Sequence, residues 1–275
     1  MPVISTNTAA NSAVHYLNIN SAQESSSLAK LSSGSKINQA SDDAAGLAIS
    51  TRISSDVTAL QQAATNASQA TSILQTADGG ASNISDILSR MKSLASESSS
   101  GTVTDSSRAY LQSEFSQLSN EIDSIAQGTR YSGQSLLDGT SSFAGTGSKI
   151  LVGSSSTDTI TVTLSDLKSA TLGTTALDVS TQAGATSALT TLDTAIDKVS
   201  SARASIGAQE SRFNFSADSI STQSENLKSA NSAITDVDIA AEQSKLSSAK
   251  VKTQAAVSAE AAANELPQYL LKLLG

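Results

Sequence analysis

The chain has 275 residues, of which 3% are aromatic, and its formal net charge is −8 at pH 7. It contains no cysteine, which excludes disulfides, thiolate zinc sites and a cysteine nucleophile. The acidic balance disfavours nucleic-acid binding, because proteins of that class neutralise phosphates with clustered lysine and arginine. No apolar run approaches the roughly 18 residues of a membrane span, so the sequence predicts no membrane insertion.

The N-terminal segment, residues 1–35, carries only two formal charges, Glu24 and Lys30. It lacks the basic start and continuous apolar stretch of a cleaved secretory signal, so export of this chain would need another route. Apolar residues still recur on a heptad frame, which predicts a helix with an apolar stripe.

Two adjacent carboxylates, Asp42 and Asp43, follow in the polar stretch LSSGSKINQASDDAAGLAIS at residues 31–50. Acid–base catalysis would need a partner group and a pocket, and the sequence offers neither. Carboxylates also accept the free N–H groups at a helix start, where the helix dipole favours negative charge. The pattern therefore predicts the start of a helix, capped by Ser41, Asp42 or Asp43.

A long helix is predicted over residues 46–95, where apolar residues alternate three and four apart through seven heptads, broken only at Asp56. Such a rod would be roughly 75 Å long. The triplet Asp78-Gly79-Gly80 is a weak point at which a kink is expected. The core-facing line of apolar residues, called the rod seam, takes these members from this helix: Ile49, Ile53, Leu60, Leu74, Ile84 and Leu88.

A second helix follows the turn-like stretch SESSSGTVTDSSR, and Asp105 or Ser106 is expected to cap it. A third helix follows near residue 189, with a seam interrupted by polar residues at 203, 210, 224 and 231. The second helix contributes these seam members: Leu111, Phe115, Leu118 and Ile122. The third contributes these: Leu192, Ile196, Val199, Ile206, Phe213, Ile220 and Leu227.

Between the second and third helices, residues 128–186 are rich in Gly, Ser and Thr. The stretch DTITVTLSDL, residues 158–167, alternates apolar residues with Thr and predicts a strand. The stretch TALDVST, residues 175–181, is the expected partner strand. The sequence therefore predicts a mainly α fold, with long antiparallel helices and a small β-hairpin element in a central insert.

The C-terminal segment 239–274 carries another apolar stripe with few charges. Neither terminal stripe has an obvious core within the chain, so each is expected to be buried on the other or on other molecules. The residues predicted to make these contacts between subunits are Val14, Leu17, Leu28, Leu31, Leu246, Val257, Leu266, Leu270, Leu273 and Leu274.

Motifs that carry chemistry are missing from the sequence. His15 is the only histidine, so no H-E-x-x-H or multi-histidine metal site can form. The sequence contains neither a G-x-x-x-x-G-K-[ST] loop nor a G-x-S-x-G elbow. We therefore predict a protein that is not an enzyme, with no catalytic residue, metal or cofactor.

Several separate segments resemble one family. Residues 31–49 resemble the N-terminal signature of bacterial flagellin, and residues 263–275, ANELPQYLLKLLG, resemble its C-terminus. Residues 129–137 and 206–212 resemble further segments in family order, so the likeness spans roughly residues 1–140 and 185–275. Three positions depart from the usual family residues: Lys30, Ser35 and Lys36.

The resemblance implies a subunit that polymerises with itself into the extracellular flagellar filament for swimming. It implies a terminal coiled-coil domain from residues 1–43 and 234–275, which forms the inner filament core. It also implies a helical rod domain from residues 44–137 and 187–233, with a short β-rich variable insert at 138–186. The family is exported by the flagellar type III apparatus, and its partners there include a chaperone, cap proteins and junction proteins.

The resemblance also implies a surface for an innate immune receptor, read around an Arg-x-x-x-Leu pattern. Arg90 and Leu94 match that pattern, and Glu114 is expected on the adjoining helix. Ser89 and Ser93 replace the usual polar residues around it, so weak receptor activation is expected.

Other functions are also compatible with the sequence. A hook–filament junction protein shares similar ends, although the near-complete match at both termini favours the filament. A flagellin-like surface adhesin that binds glycans would use the β element, where Phe143 is the sole aromatic for sugar stacking. An enzyme carried within the insert is disfavoured by the short insert and the single histidine.

Overall fold

The computed structural model describes the backbone of residues 7–274 and the side chains of residues 7–265. Helices dominate this part of the chain, so the predicted mainly α fold is confirmed. The helices are α1 Thr8–Ser33, α2 Ala44–Ser99, α3 Asp105–Gly128, α4 Ser169–Leu172, α5 Gln182–Thr235 and α6 Ile239–Leu274. The strands are β1 Arg130–Tyr131, β2 Gln134–Ser135, β3 Ser148–Leu151 and β4 Thr159–Val162. No helix in the described part is long and apolar enough to cross a membrane.

The chain divides into two compact units. The terminal unit comprises residues 1–55 and 226–275, and the central unit comprises residues 56–225. Helices α2 and α5 contribute to both units. The insert at 138–186 lies within the central unit.

In the terminal unit, α1 packs antiparallel on α6. Near one end of the pair the Asn7 side-chain amide donates to the Ala263 carbonyl at 2.8 Å. Near the other end the Ser27 hydroxyl donates to the Glu242 carboxylate at 2.7 Å. The positions paired in this way rise on one helix as they fall on the other, which fixes the antiparallel direction.

The connector between α1 and α2 is tied to the α5–α6 junction by backbone hydrogen bonds. The Lys36 N–H donates to the Thr235 carbonyl at 2.7 Å, and the Val237 N–H donates to the Gly34 carbonyl at 3.0 Å. The Asp43 carboxylate then accepts from the Gly46 N–H at 2.8 Å, in the first turn of α2. The predicted helix start is confirmed, and Asp43 is the residue that caps it.

In the central unit, α2, α3 and α5 pack around one hydrophobic core to which the insert also contributes. The Arg203 guanidinium on α5 meets the Asp78 carboxylate on α2 at 2.8 Å. Helix α2 runs through Asp78-Gly79-Gly80 without interruption. A Cβ at Gly80 would lie 2.4 Å from the Thr129 hydroxyl, so this glycine allows the end of α3 to approach α2 closely.

Helix α3 begins one residue later than its cap, Thr104, whose hydroxyl accepts from the Ser107 N–H at 3.3 Å. The expectation that Asp105 or Ser106 is the cap is wrong by one or two positions. Asp105 instead pairs with the buried Arg108 at 2.8 Å. Arg108 also donates to the carbonyl of Ser98, which joins the end of α2 to the start of α3.

The insert contains two small antiparallel hairpins. Strands β1 and β2 are joined by Ser132 and Gly133, both with positive φ, as a type I′ turn requires. Strand β4 lies within the predicted strand and confirms it, but it pairs with β3 rather than with residues 175–181. The predicted partner was wrong because the upstream segment closes a shorter loop. Val179 in that segment is instead buried in the core.

The insert is held to the long helices through its main chain. The Gln209 amide accepts from the Thr163 N–H at 2.9 Å and donates to its carbonyl at 3.0 Å. The Gln112 amide on α3 accepts from the Val179 N–H at 2.7 Å. The Asn66 amide on α2 donates to the Leu151 carbonyl at 3.1 Å. These contacts are called the backbone clamps, and they add to the packing of buried insert side chains in the core.

Candidate assembly surfaces

No catalytic constellation stands out in the described part of the chain. Its histidine, aspartate and glutamate side chains nowhere form a group of three or more that could hold a metal ion. The two adjacent carboxylates of the connector serve the backbone: Asp43 caps α2, and Asp42 accepts from the N–H groups of Asn38 and Gln39. These backbone hydrogen bonds lower the pKa of Asp42. The two carboxylates therefore stabilise the backbone of the connector and of the first turn of α2.

Large apolar side chains lie exposed on α1 and α6. Leu28 is 57% exposed and Val251 is 69% exposed, although both helices pack against each other. We call the whole set the α1–α6 apolar surface: Val14, Tyr16, Ile19, Leu28, Ile239, Val251 and Val257. The sequence predicted contacts at Val14, Leu28 and Val257 and placed Ile239 on the apolar stripe, but it missed Tyr16, Ile19 and Val251. Their signal was present, because each is a large apolar residue within a long helix.

The other predicted contact residues of the termini fall in different places. Leu17 and Leu31 are half-buried on α1, and Leu246 is buried on α6. The remaining predicted contacts have side chains that lie outside the described residues: Leu266, Leu270, Leu273 and Leu274.

Small and polar residues share the interface within the α1–α6 pair with the buried Leu246. On α6 the residues at 249, 256 and 263 are buried alanines, spaced seven apart, and the buried Glu242 occupies the preceding heptad position. Alanines at this spacing allow the two helix backbones to approach closely. Several large side chains beside them, such as Val251 and Val257, are left exposed.

Charge divides unequally between the two units. Residues 1–55 and 226–275 contain eight acidic and eight basic residues, so the terminal unit has no net charge. Residues 56–225 contain 17 acidic and nine basic residues, so the central unit carries the whole net charge of −8. The apolar surface therefore lies on the unit whose zero net charge causes no net repulsion between copies that associate closely.

Most of the predicted rod seam lies in the interior of the chain. Its fully buried members are Leu60, Leu74, Ile84, Leu88, Phe115, Ile122, Leu192, Val199, Ile206, Phe213 and Ile220. Its half-buried members are Ile53, Leu111, Leu118, Ile196 and Leu227. Ile49 is 53% exposed and so does not face the interior of the chain.

Two polar residues that interrupt the third helix's seam face α2. Hydrogen bonds to Asp78 raise the pKa of Arg203. Glu210 lies one heptad further on, and burial together with the negative charge of Asp78 raises its pKa. One oxygen of Glu210 is buried without a hydrogen-bond partner. The ionised form of Glu210 is therefore less stable in the folded chain than it is in water.

The residues of the candidate receptor surface do not share one exposed patch. Arg90 donates to the Glu114 carboxylate at 2.7 Å, and both side chains are exposed. Leu94 is only 1% exposed, because it lies in the core between the long helices. The expectation of a surface that includes Leu94 therefore needs correction.

Comparison with known proteins gives a consistent family. Residues 4–142 match the bacterial flagellin N-terminal helical region, and residues 189–274 match the bacterial flagellin C-terminal helical region. Flagellin of Listeria monocytogenes is 35% identical over 271 residues, covering 94% of each chain. Flagellin of Halalkalibacterium halodurans is 36% identical over 274 residues, covering 99% of each chain.

Solved structures agree with this assignment. A crystal structure of Bacillus cereus flagellin is 34% identical with a TM-score of 0.52, and the match covers 61% of this chain and 94% of that one. A putative flagellar hook-associated protein from Vibrio parahaemolyticus gives a TM-score of 0.59 at 14% identity, covering 71% of this chain and 100% of that one. At that identity the likeness concerns the fold alone. The chain belongs to the bacterial flagellin family: it is a structural subunit, not an enzyme, that polymerises into the extracellular flagellar filament of swimming bacteria.

Proposed function

We propose that the α1–α6 apolar surface is where subunits pack against one another in the filament core. The observation that carries this proposal is the exposure of large apolar side chains on a helix pair that is already packed. The interface between the helices holds alanines, Leu246 and the buried Glu242, whereas Val251 and Leu28 are more than half exposed. An exposed surface of this kind marks an interaction site when it exceeds scattered single residues.

The energetic argument favours association. Burying a Val, Leu or Ile side chain contributes about 1.5–3 kcal/mol relative to leaving it exposed. Association of two molecules costs an estimated 4–15 kcal/mol in lost translational and rotational freedom. Several such side chains buried together offset that cost, and the gain repeats at every subunit of a polymer.

The domain assignment follows from the same reasoning. We infer a terminal coiled-coil domain from residues 1–43 and 234–275, a rod domain from 44–137 and 187–233, and a variable insert at 138–186. The first domain contains eight acidic and six basic residues, so it carries only −2 of the net charge of −8. This small net charge supports an inner position for the domain, since an inner position leaves little solvent to screen unpaired charges.

Further partners are inferred from family membership. We propose export by the flagellar type III apparatus, with a chaperone that covers the apolar helices before assembly, and contact with cap and junction proteins afterwards. Exposed apolar helices support this proposal, because they would associate prematurely if left uncovered. For an innate immune receptor we propose weak recognition, through Arg90 and Glu114 but without Leu94.

The two competing functions receive less support. A junction protein is favoured only by a likeness of fold at 14% identity. A glycan-binding adhesin would stack sugar on Phe143, but this ring is half-buried and packs against the hydrophobic core.

A pair of α6 variants tests the assembly surface. We expect Val251→Asn with Val257→Asn to raise the protein concentration needed for filament growth at least tenfold. Each valine contributes up to about 1.5–3 kcal/mol when it is buried, and asparagine loses this contribution. The control is Ser247→Asn with Ser258→Asn, which adds the same two asparagines at exposed polar positions of α6. Sedimentation of assembled protein and negative-stain microscopy give the readout. Equal assembly of test and control variants would contradict the proposal.

A further inference from the structure

The two long sides of the α1–α6 pair carry side chains of different size. An α-helix turns by about 100° per residue, so sequence distance from a buried reference residue gives the angle of any other residue. On α6, Ile239 and Val257 both lie about 80° to one side of the buried Ala249. Ser248 and Lys252 lie about 100° and 60° to its other side. Large apolar and small or polar residues of α6 therefore face opposite ways.

Helix α1 repeats this division. Leu17 and Leu28 lie about 80° and 100° to one side of Ser27, which is fully buried against α6. Ile19 and Gln23 lie about 80° and 40° to its other side. In an antiparallel pair of right-handed helices, equal angular directions from the contact line lead to the same side of the pair. The large apolar residues found at positive angles on both helices therefore share one side.

We call the first side the ridge and the second side the groove. The ridge is defined by Leu17, Leu28, Ile239, Leu246 and Val257. The groove runs between the two helices and is defined by Tyr16, Ile19, Ser248, Lys252, Ala255 and Ala259. Serine and alanine on the α6 wall do not fill the space beside α1, so this side stays open to the large side chains of another molecule.

Each side also carries a charge that has no partner of opposite sign. Glu24 lies about 60° from Ser27 on the ridge side and is half-buried, whereas Lys252 at the groove is exposed. Neither of them forms an ion pair with another side chain in the part of the chain that the structure describes. Because they lie on opposite sides of one pair, they cannot meet within a subunit. A second copy of the chain can bring them together.

One displacement between copies aligns these charges. Ser27 lies level with Glu242, and positions fall along α6 as they rise along α1, so Glu24 lies level with residue 245. Lys252 is seven residues further along α6. A parallel neighbour displaced by one heptad, about 10 Å, therefore presents its Lys252 level with Glu24.

The same displacement matches side chains by size. By the same count, Leu28 of one copy arrives beside Ser248 of the other, and Leu17 arrives beside Ala259. Each large residue of the ridge thus meets a small residue of the groove. The contact joins two different surfaces, and contacts of this heterologous kind continue as open helical filaments when they do not close into a ring.

We propose that in the assembled filament the ridge of one subunit inserts into the groove of the next, displaced by one heptad, with Glu24 of one subunit paired to Lys252 of its neighbour. This inference rests on the proposed assembly surface and specifies which side of it faces which neighbour. It concerns the assembled state alone, because ridge and groove exist only where α1 and α6 are paired.

Charge reversal tests the pairing. Glu24→Lys and Lys252→Glu each place like charges at the contact, and each is expected to raise the protein concentration needed for filament growth by about fivefold or more. The combined variant restores opposite charges and is expected to assemble within about twofold of the native chain. The matched control combines Glu24→Lys with Lys228→Glu, an exposed lysine of α5, and has the same net charge. The control is expected to remain defective, and equal assembly of the combined variant and the control contradicts the proposal.

Crosslinking tests the displacement, since the chain has no cysteine of its own. Leu28→Cys with Ser248→Cys gives each subunit one ridge thiol and one groove thiol. Oxidation of sedimented filaments is expected to give a ladder of linked dimers, trimers and larger species, because each subunit joins one neighbour on each side. Either cysteine alone is expected to leave the subunits unlinked. The matched control is Leu28→Cys with Ser258→Cys, whose second thiol lies about 180° from Ala249, and it is expected to give no ladder.

Two results of the crosslinking overturn the proposal. Linked dimers from Leu28→Cys alone would show that ridges meet ridges, and a double variant without a ladder would show that ridge and groove do not meet at this displacement. The assembly surface is judged separately, by the Val251 and Val257 variants. If those variants assemble poorly while the ladder is missing, the surface stands and the ridge–groove pairing falls. If they assemble as well as their control, the surface itself falls.

Discussion

At the scale of single residues, Glu210 shows how a seam position can weaken the unit that contains it. Its carboxylate lies among the long helices near Asp78, and one of its oxygens has no hydrogen-bond partner. The sequence located Glu210 on the seam because it falls at a heptad position. Its partners could not be predicted, because they depend on the rotation of α2 relative to α5.

We predict that Glu210→Gln stabilises the central unit at pH 7. The pKa of Glu210 is raised by burial and by Asp78, so the folded state binds its proton more tightly than the unfolded state does. Stability from this group is therefore present at low pH and is lost as pH rises through the folded pKa. A neutral glutamine removes that loss, and Tm is expected to rise by up to roughly 2–4 °C, as about 1 kcal/mol gives for a domain of this size.

The comparison variant is Glu225→Gln, which removes the same charge from an exposed position of α5. Thermal unfolding of both variants is followed by circular dichroism at pH 7 and near pH 4. The advantage of Glu210→Gln should shrink at the lower pH. A Tm no higher than that of Glu225→Gln at pH 7 would count against the unfavourable placement of the Glu210 charge.

At the scale of elements, the two glycines inside α2 serve different purposes. Sequence reasoning treated Gly79 and Gly80 together as a weak point, since glycine lowers helix stability wherever it stands. A Cβ at Gly79 would meet no atom within 4 Å, whereas a Cβ at Gly80 would lie 2.8 Å from the Thr129 methyl group and 2.9 Å from Leu137. Only Gly80 is required by packing.

We therefore predict opposite effects from two neighbouring substitutions. Gly79→Ala should stabilise the protein by up to about 1 kcal/mol, through helix propensity alone. Gly80→Ala should destabilise it by about 1–3 kcal/mol, because the end of α3 must move away from α2. Urea unfolding of the two variants beside the native chain measures both effects. Stabilisation by both alanines would show that Thr129 and Leu137 can shift at little cost.

The elements also show which patterns are readable from sequence. The long helices were predictable because a repeat of apolar residues kept over many turns fits no other structure. The strand at β4 was predictable from its alternation of Ile160 and Val162 with Thr. The partner of β4 was not, since Leu177 and Val179 alternate equally well yet pack into the core. The backbone clamps were also hidden, because a glutamine that binds main-chain atoms has no signature of its own.

The α1–α6 interface is the clearest failure of pattern reading. Heptad logic expects large apolar residues between paired helices and polar residues outside. Here Glu242 and Ser27 are buried together while Leu28, next to Ser27, is exposed. A sequence can indicate that both helices carry apolar stripes, but it does not indicate which stripe meets the partner helix and which meets another molecule.

At the scale of the whole molecule, charge and apolar surface are separated between the two units. The central unit carries all of the net charge of −8, and the terminal unit is neutral. Polymerisation brings many copies of the charged unit near one another, and their mutual repulsion opposes it. The proposed burial of the α1–α6 apolar surface between subunits would favour polymerisation and would depend little on salt.

We predict that moderate salt promotes assembly. Raising the ionic strength from about 0.01 M to about 0.15 M shortens the Debye length from about 30 Å to about 8 Å, which screens repulsion between central units. The protein concentration left unassembled, measured by sedimentation across a sodium chloride series, should fall over this range. A rise instead would indicate that ion pairs between subunits outweigh the repulsion.

The backbone clamps have a consequence for how this protein can change over generations. Gln209, Gln112 and Asn66 hold the insert by peptide groups, whose N–H and C=O every amino acid except proline supplies. Exposed side chains of the insert can therefore be replaced while its anchorage is unaffected. The exposed face of the insert and the long helices can then diverge at different rates, because packing constrains the helices and not the exposed side chains of the insert.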